Sequence, residues 1–497
     1  MTYTLDTIAA GRAAPVRRAI PARLREGVAR ESILIAALSA LVFFWLIAVL
    51  FLLGNDSWMT VLWGREVAQH GIPRHDALTV MSHGKAFVDQ QWLAQLPFWG
   101  VYALGGMRLA LLLAISMLLA PVAIAATLAR RRGASPTAVL AFVLVPALNF
   151  ASILRAQLFS QLLFVALLAL LLAESRRPSR RALLAFPLLV VWANLHGAVL
   201  QGAALVALLG AIENVRARRP SSRSIALIVV PWLCALATPY GLDAIGYYRM
   251  LLGNPILRQI EGEWRPAAFP DGMGFAVFLL AAAFVALVVK RRRDLNAFEL
   301  ATLLVTLAGA LTAVRNVPWF AYSCLVLLPP LADRVLRRGA VTAPPHRVAL
   351  LLAGVPAALA AVTLSVMLAR PLDKIGPLWP RQAGLAVQQA LRADPHARVF
   401  PSYEYPDWLL LTIPEARARV AYDGFFDELT HDQLAGVMDY LYQVGSDWER
   451  PTRGYRVIVL NPQLERSLVR TYDRRRTRVL YRDDNVVVFD RGSRADA

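Results

Sequence analysis

Apolar runs separated by short polar breaks fill the chain up to about residue 370, and the breaks alternate in character. One kind is studded with arginine, as in Arg130-Arg131-Arg132 and Lys290-Arg291-Arg292-Arg293. The next carries lone acids, amides and a histidine, among them Asp56, Asp76, Gln157, His196, Glu261 and Asn316. Runs of this length are bilayer-crossing helices. They predict about eleven crossings, at 33–53, 107–129, 136–154, 157–173, 182–194, 197–213, 224–238, 273–289, 297–315, 317–333 and 347–369. Two further stretches are predicted to lie in the membrane interface, both in the first outer loop. In Trp58–His70, Trp58, Leu62, Trp63 and Val67 recur at helical spacing. The stretch 91–105 is apolar and aromatic but short, and counting it as a crossing would put Arg130 to Arg132 on the outer side.

Beyond residue 371 the pattern becomes that of a soluble α/β domain. Short β-rich runs (398–400, 419–422, 456–460) alternate with helical stretches near 382–393, 430–444 and 463–472. A hairpin over 478–489 is expected to turn at Asp484-Asn485. The expected plan is therefore a basic cytoplasmic segment (1–32), a polytopic α-helical membrane domain (33–370) and an extracytoplasmic α/β domain (371–497).

Composition agrees with lipid as the solvent. The 497 residues are 57% hydrophobic, with a mean hydropathy of +0.48, more apolar side chain than a water-soluble core of that size hides. The net charge of +19 comes from arginines clustered beside apolar runs, as cytoplasmic loops do against anionic headgroups. No basic stretch interleaves with exposed aromatics, so nucleic acid is not an expected partner. The two cysteines, Cys234 and Cys324, lie inside apolar runs and suggest packing.

The polar breaks on the non-arginine side supply the candidate chemistry. They hold Asp56; His75 and Asp76; Gln91 and Trp92; Arg155 and Gln157; Asn194 and His196; Tyr240; Glu263 and Trp264; and Arg315 and Asn316. Each also has a structural reading. Asp56 suits the N-cap of the helix from Trp58. His75-Asp76 suits a solvated turn. Arg155 has the fork geometry for a phosphate, and equally for a salt bridge to an outer acid. Asn194 and His196 could satisfy each other and the backbone.

The order of parts resembles the GT-C superfamily, integral-membrane glycosyltransferases that use polyprenyl-phosphate sugars; protein O-mannosyltransferases and the aminoarabinose transferases of lipid A are examples. The resemblance rests on Asn55-Asp56-Ser57-Trp58 after the first span, the two interfacial stretches ending at Leu104-Gly105-Gly106, and the basic turn Leu128-Ala129-Arg130-Arg131-Arg132. Trp192-Ala193-Asn194-Leu195-His196-Gly197, Pro239-Tyr240-Gly241, Glu263-Trp264-Arg265-Pro266 and Tyr422-Asp423-Gly424 are similar to motifs of bacterial members without assigned substrates. It covers about residues 30 to 370, the outer domain matching in general plan. It implies a bacterial plasma-membrane enzyme moving a sugar from a polyprenyl-phosphate donor to an extracytoplasmic glycan, lipid or protein. Asp56 would be the catalytic acid or base, with Arg155 and Arg315 facing the phosphate. Gln157 and Gln90-Gln91 stand where relatives carry acids or histidine, which weakens the case for a bound divalent metal. The same departures keep open a non-catalytic scaffold of this fold. A transporter would instead show inverted repeats and broken mid-membrane helices.

Overall fold

The computed structural model describes residues 22–49, 53–148, 154–253, 262–336, 344–369 and 379–492. The apolar part is helical: α1 (Ala22–Ala48), α2 (Asn55–His70), α3 (Trp92–Arg131), α4 (Pro136–Ala147), α5 (Gln157–Arg176), α6 (Ala185–Leu195), α7 (Val199–Ala217), α8 (Ser222–Ala235), α9 (Asp243–Gly253), α10 (Gly272–Arg291), α11 (Ala297–Thr312), α12 (Val317–Leu327), α13 (Pro329–Val335) and α14 (His346–Ala369). Among the described residues, six helices are long and apolar enough to cross a membrane: α1, α3, α5, α7, α10 and α14. Three shorter apolar helices, α4, α8 and α11, stand among them. The expected 317–333 span divides between α12 and α13 at Pro329-Pro330, because proline has no N–H to continue the ladder. Glu261, the end of the expected 136–154 span and the 371 boundary lie outside the described residues.

The alternation of the breaks reappears as two ends of one bundle. At one end the arginine-rich breaks are tied together by acids, of which Glu299 and Glu174 are buried. Glu299, at the start of α11, receives Arg132 at 2.6 Å and Arg176 at 2.8 Å. Arg223 joins Glu213 (2.6 Å) to Glu174 (3.1 Å), Arg334 meets Asp294 (3.0 Å), and Arg130 pairs with Glu31. At the other end the acid, amide and histidine breaks gather. Helix α3 is broken at Gly105-Gly106, where Gly106 has φ 67°, a left-handed backbone that favours glycine. The break separates a 92–104 limb packed on α2 from the apolar limb that begins at Met107.

The second part is a four-stranded sheet with helices. The strands are β1 (Val399–Pro401), β2 (Val457–Leu460), β3 (Arg478–Arg482) and β4 (Val487–Asp490), in the order β1-β2-β4-β3. The β1/β2 pair is parallel and the others antiparallel. Helices α15 (Arg381–Ala393), α16 (Pro406–Thr412), α17 (His431–Tyr442) and α18 (Arg466–Arg474) accompany it. The expected 419–422 strand is reduced to a single bridging position: Val420 pairs in parallel with Val399 on one side and with Thr79 on the other.

That second bridge fastens this domain to the loop after α2. Val80 and Met81 donate their N–H groups to the Val420 and Ala421 carbonyls at 2.8 and 2.9 Å, and Ala418 donates to Leu78 at 2.8 Å. Helix α16 packs on α2, where Arg65 donates to the Leu411 and Leu410 carbonyls and Arg417 pairs with Glu66 at 2.7 Å. Trp63, Phe87 and Phe425 form one aromatic cluster across the junction, with ring centroids 4.5 to 5.6 Å apart. The domain is built on the loop rather than hung from it.

Candidate functional site

Where the two parts meet above the non-arginine end of the bundle there is a cavity of about 230 Å³. Nine of the sequence candidates line it: Asp56, Gln91, Arg155, Gln157, His196, Glu263, Trp264, Arg315 and Asn316. They come from the start of α2, the start of α3, the start of α5, the α6/α7 turn, and the breaks before α10 and α12. Positions some 260 residues apart in sequence thus share one space because every second break lies at the same end of the bundle.

Arg155 is the hub. Its guanidinium holds the Asp56 carboxylate at 2.6 Å through one nitrogen and the Glu263 carboxylate through another. All three side chains keep between a fifth and a third of their surface accessible, so the pair faces water rather than being sealed. Asp56 does not cap its helix. Gly54 occupies that position, and Asp56 lies in the first turn, where the helix dipole favours a negative charge. Arg315 lies over the Trp264 ring at 4.0 Å, a cation–π contact that fixes a second guanidinium beside the first. Asn316 donates to the Gly309 carbonyl at 3.2 Å, holding the turn ahead of α12.

His196 is held neutral. Burial, reinforced by Arg315 and Arg155, pushes its pKa down to about 3. Its Nδ1 accepts the Ala198 N–H at 3.1 Å, which leaves the ring proton on Nε2. The turn is tight enough that a Cβ on Gly197 would come within 2.4 Å of the Gln90 side-chain oxygen.

Five sequence candidates stand outside the cavity. The Asp76 carboxylate is buried and closes its own turn, accepting from the Leu78 N–H at 2.7 Å and from the Thr79 hydroxyl. His75 bridges Ala86 across the same loop. Trp92 donates its indole N–H to Asn194 at 3.1 Å, and the Asn194 amide donates to the Val190 and Ala237 carbonyls at 2.9 Å. Tyr240 donates to the Pro73 carbonyl at 2.9 Å beneath Arg74. These contacts fix the walls around the cavity.

Sequence reasoning missed the roof. Gly424, Phe425, Phe426 and Asp427 of the second domain line the cavity, as do Tyr247 and Tyr248 of α9. Burial pushes the Asp427 carboxyl up to about 6 despite the hydrogen bond it receives from Tyr247. The motif Tyr422-Asp423-Gly424 pointed toward this segment without showing what it covers. Asp423 accepts the Trp63 indole N–H at 3.0 Å, and the Asp407 carboxylate, linked to Asn55, accepts the Gly424 N–H at 2.9 Å.

Two carboxylates, Asp56 and Glu263, are thus already held by one guanidinium, and among the described residues no three His, Cys, Asp or Glu side chains gather as metal ligands. Beside the cavity an apolar cleft of about 540 Å³ opens between α7, α8 and α9. The two share Leu200 and Tyr248 and are otherwise unlike: polar at the cavity, with Trp232, Leu236 and Ile245 in the cleft.

Fold and site together define a polytopic helical membrane protein whose second, α/β domain closes a charged cavity at one end of the bundle. The same fold is found in the oligosaccharyltransferase of Archaeoglobus fulgidus in its apo form. The two superpose with a TM-score of 0.52 at 11% identity over 87% of this chain and 70% of that one. The Archaeoglobus fulgidus oligosaccharyltransferase AglB, solved with an inhibitory peptide and a dolichol-phosphate, gives the same score at 12% identity over the same shares. Apo ArnT from Cupriavidus metallidurans covers 94% of this chain and 98% of its own at 15% identity, with a TM-score of 0.49. No protein-family model matches the sequence, and no curated protein matches it.

Proposed function

We propose that this protein is a membrane glycosyltransferase that moves a sugar from a polyprenyl-phosphate carrier to an extracytoplasmic glycan, lipid or protein. The observation that carries the reading is the Asp56–Arg155 pair in a water-accessible cavity that shares Leu200 and Tyr248 with a neighbouring apolar cleft. A lipid phosphate has those two needs at once, a fork of donors for its oxygens and an apolar channel for its chain. The fold is that of a protein solved with a dolichol-phosphate, which supports the same class of carrier here.

In this reading the donor phosphate takes the Arg155 fork, aided by Arg315. Asp56, released from that fork, turns to the acceptor. The acceptor oxygen forms its bond to the anomeric carbon as the bond from that carbon to the phosphate oxygen breaks. The electron pair leaves with polyprenyl phosphate and the acceptor proton passes to Asp56. Charge developing on the phosphate is met by guanidinium groups already in place. The neutral His196 and the amides Gln91, Gln157 and Asn316 supply hydrogen bonds to sugar hydroxyls without competing for the phosphate. The remaining candidates, His75, Asp76, Trp92, Asn194 and Tyr240, act through the walls they hold.

The arginine-rich end is assigned to the cytoplasm of a bacterial plasma membrane, which puts the cavity and the α/β domain outside. The end-to-end succession of helices then amounts to about eleven crossings, an odd number that separates the two termini. Titration of undecaprenyl phosphate into the purified protein, followed by tryptophan fluorescence, tests the donor site. Saturable binding weakened about tenfold or more in Arg155→Ala is expected, since a charge-assisted bond is lost. Unchanged affinity in that variant would reject the donor assignment.

A further inference from the structure

The α/β domain carries a second groove that the transferase cavity does not explain. It has a volume of about 820 Å³ and is lined by six arginines against three acids, with Trp448 and Tyr472 among the lining side chains. The arginines are drawn from separate parts of the fold: Arg453 and Arg456 before β2, Arg475 and Arg476 after α18, Arg478 opening β3, and Arg491 after β4.

Its position follows from strand direction. The chain runs from Val420, parallel to β1 and hence to β2, onward to Gly424–Asp427 at the cavity roof. The carboxyl ends of those strands therefore face the cavity. Arg456 immediately precedes β2, and Asp490, which pairs with both Val457 and Arg478, closes the antiparallel β4 at that same edge. The groove lies at the opposite edge of the sheet from the cavity, away from the helical bundle.

Its arginines fall into two sets. Four are anchored: Arg453 to Asp447 at 2.7 Å, Arg475 to Glu449 at 2.5 Å, Arg456 to Asp490 at 2.8 Å and to Asp394 at 3.0 Å, and Arg491 to the Thr452 carbonyl at 2.9 Å. Each anchored fork is held in orientation while its remaining N–H groups stay on offer. Arg476 and Arg478 are exposed and make no ion pair among the described residues, and Arg476 is held on a left-handed backbone (φ 53°). Trp448 is half-buried, with its indole packed against Tyr440 at 5.8 Å, so the ring that lines the groove is braced from behind.

We infer that this groove binds an anionic glycan: the forks of Arg476 and Arg478 meet carboxylate or phosphate groups, and Trp448 meets the apolar face of a sugar ring. An aromatic ring and guanidinium groups outside any ion pair, lining one groove, are the combination that a charged sugar, with one apolar face and one oxyanion, requires. Calling that glycan the acceptor rests on the transferase reading; the binding itself does not.

The test uses the full-length protein in detergent at physiological salt, with polygalacturonate as the carboxylate probe, phosphomannan as the phosphate probe, and neutral dextran and single-stranded DNA as controls. Binding of at least one charged polysaccharide over dextran is expected. It should fall about tenfold or more in Arg476→Ala/Arg478→Ala and also in Trp448→Ala, and stay at wild-type level in Asp56→Asn. Failure to bind either charged polysaccharide, or unchanged binding in the double variant, would overturn the inference. Tighter binding of DNA that ignores Trp448→Ala would also overturn it, since the groove would then be a bare basic patch. A loss in Asp56→Asn with none in the arginine variants would place the binding in the transferase cavity and likewise overturn it.

Discussion

At the residue scale, one guanidinium is shared by two carboxylates in the lining of the cavity. Arg155 holds both Asp56 and Glu263, so under the proposed function a donor phosphate competes with these two carboxylates for its fork. Under that function, donor binding is expected to loosen Asp56. Arg155→Lys keeps the charge and loses the fork, and it should bind undecaprenyl phosphate more weakly than wild type but more tightly than Arg155→Ala. Equal affinities for the two variants would show that planar geometry contributes nothing. Asp56 was legible in the sequence as an acid directly after a span. Its partner was legible only as an outer-end arginine in want of an anion, because a salt bridge spanning 99 positions has no local signature.

At the element scale, the periodicity of α2 and the glycine pair that breaks α3 could be read directly, since amphipathic spacing and backbone freedom are local properties. Helix α9 and the cavity roof could not. The α9 segment is short and has Gly246 within it, and Gly424 reveals its role only against neighbours distant in sequence. A Cβ there would meet Asp407 at 2.8 Å and Asn55 and Met59 at 2.9 Å, all within the junction between α2 and the second domain. Gly424→Ala should therefore cost about 1–3 kcal/mol by overpacking, read as a lower Tm; an unchanged Tm would show that the junction yields freely.

The same junction predicts a pH dependence. Burial pushes the Asp89 carboxyl up to about 7 despite the hydrogen bonds it accepts from the Gln91 N–H and the Gln95 amide, and its other oxygen is buried without a partner among the described residues. Asp423 is raised as well, by burial and by Asp76. Folded-state values above the unfolded value of about 3.9 mean that the folded form keeps protons the unfolded chain has released. That stability is complete below about 3.9 and is lost as pH rises through about 7. Hydrogen exchange at the Val80–Val420 bonds should accordingly speed up between pH 5 and pH 8, after correction for intrinsic rates, and less so in Asp89→Asn. A protection level independent of pH would contradict this.

At the scale of the whole molecule, arginine-rich breaks gathered at one end and acid, amide and histidine breaks at the other turn a sequence rhythm into an axis. The sheet and its helices then close the second end. The separation of arginine-rich breaks from the other breaks was legible because charge bias depends on short segments; the closure was not, because it depends on a distant loop adding Thr79 beside Val420. Cysteines introduced one at a time at the exposed Ser446 and Arg219, with the buried Cys234 and Cys324 replaced by serine, give the axis its sign. In spheroplasts a membrane-impermeant maleimide should label Ser446→Cys and should reach Arg219→Cys only after lysis; the reverse order would invert the protein. The most direct trial of the central claim is mass spectrometry of envelope glycans and polyprenyl-linked sugars in a deletion strain carrying either wild type or Asp56→Asn. The account predicts that Asp56→Asn, though folded and present at wild-type levels, fails to restore the glycan and leaves a polyprenyl-linked sugar accumulating. Full restoration by Asp56→Asn would contradict it.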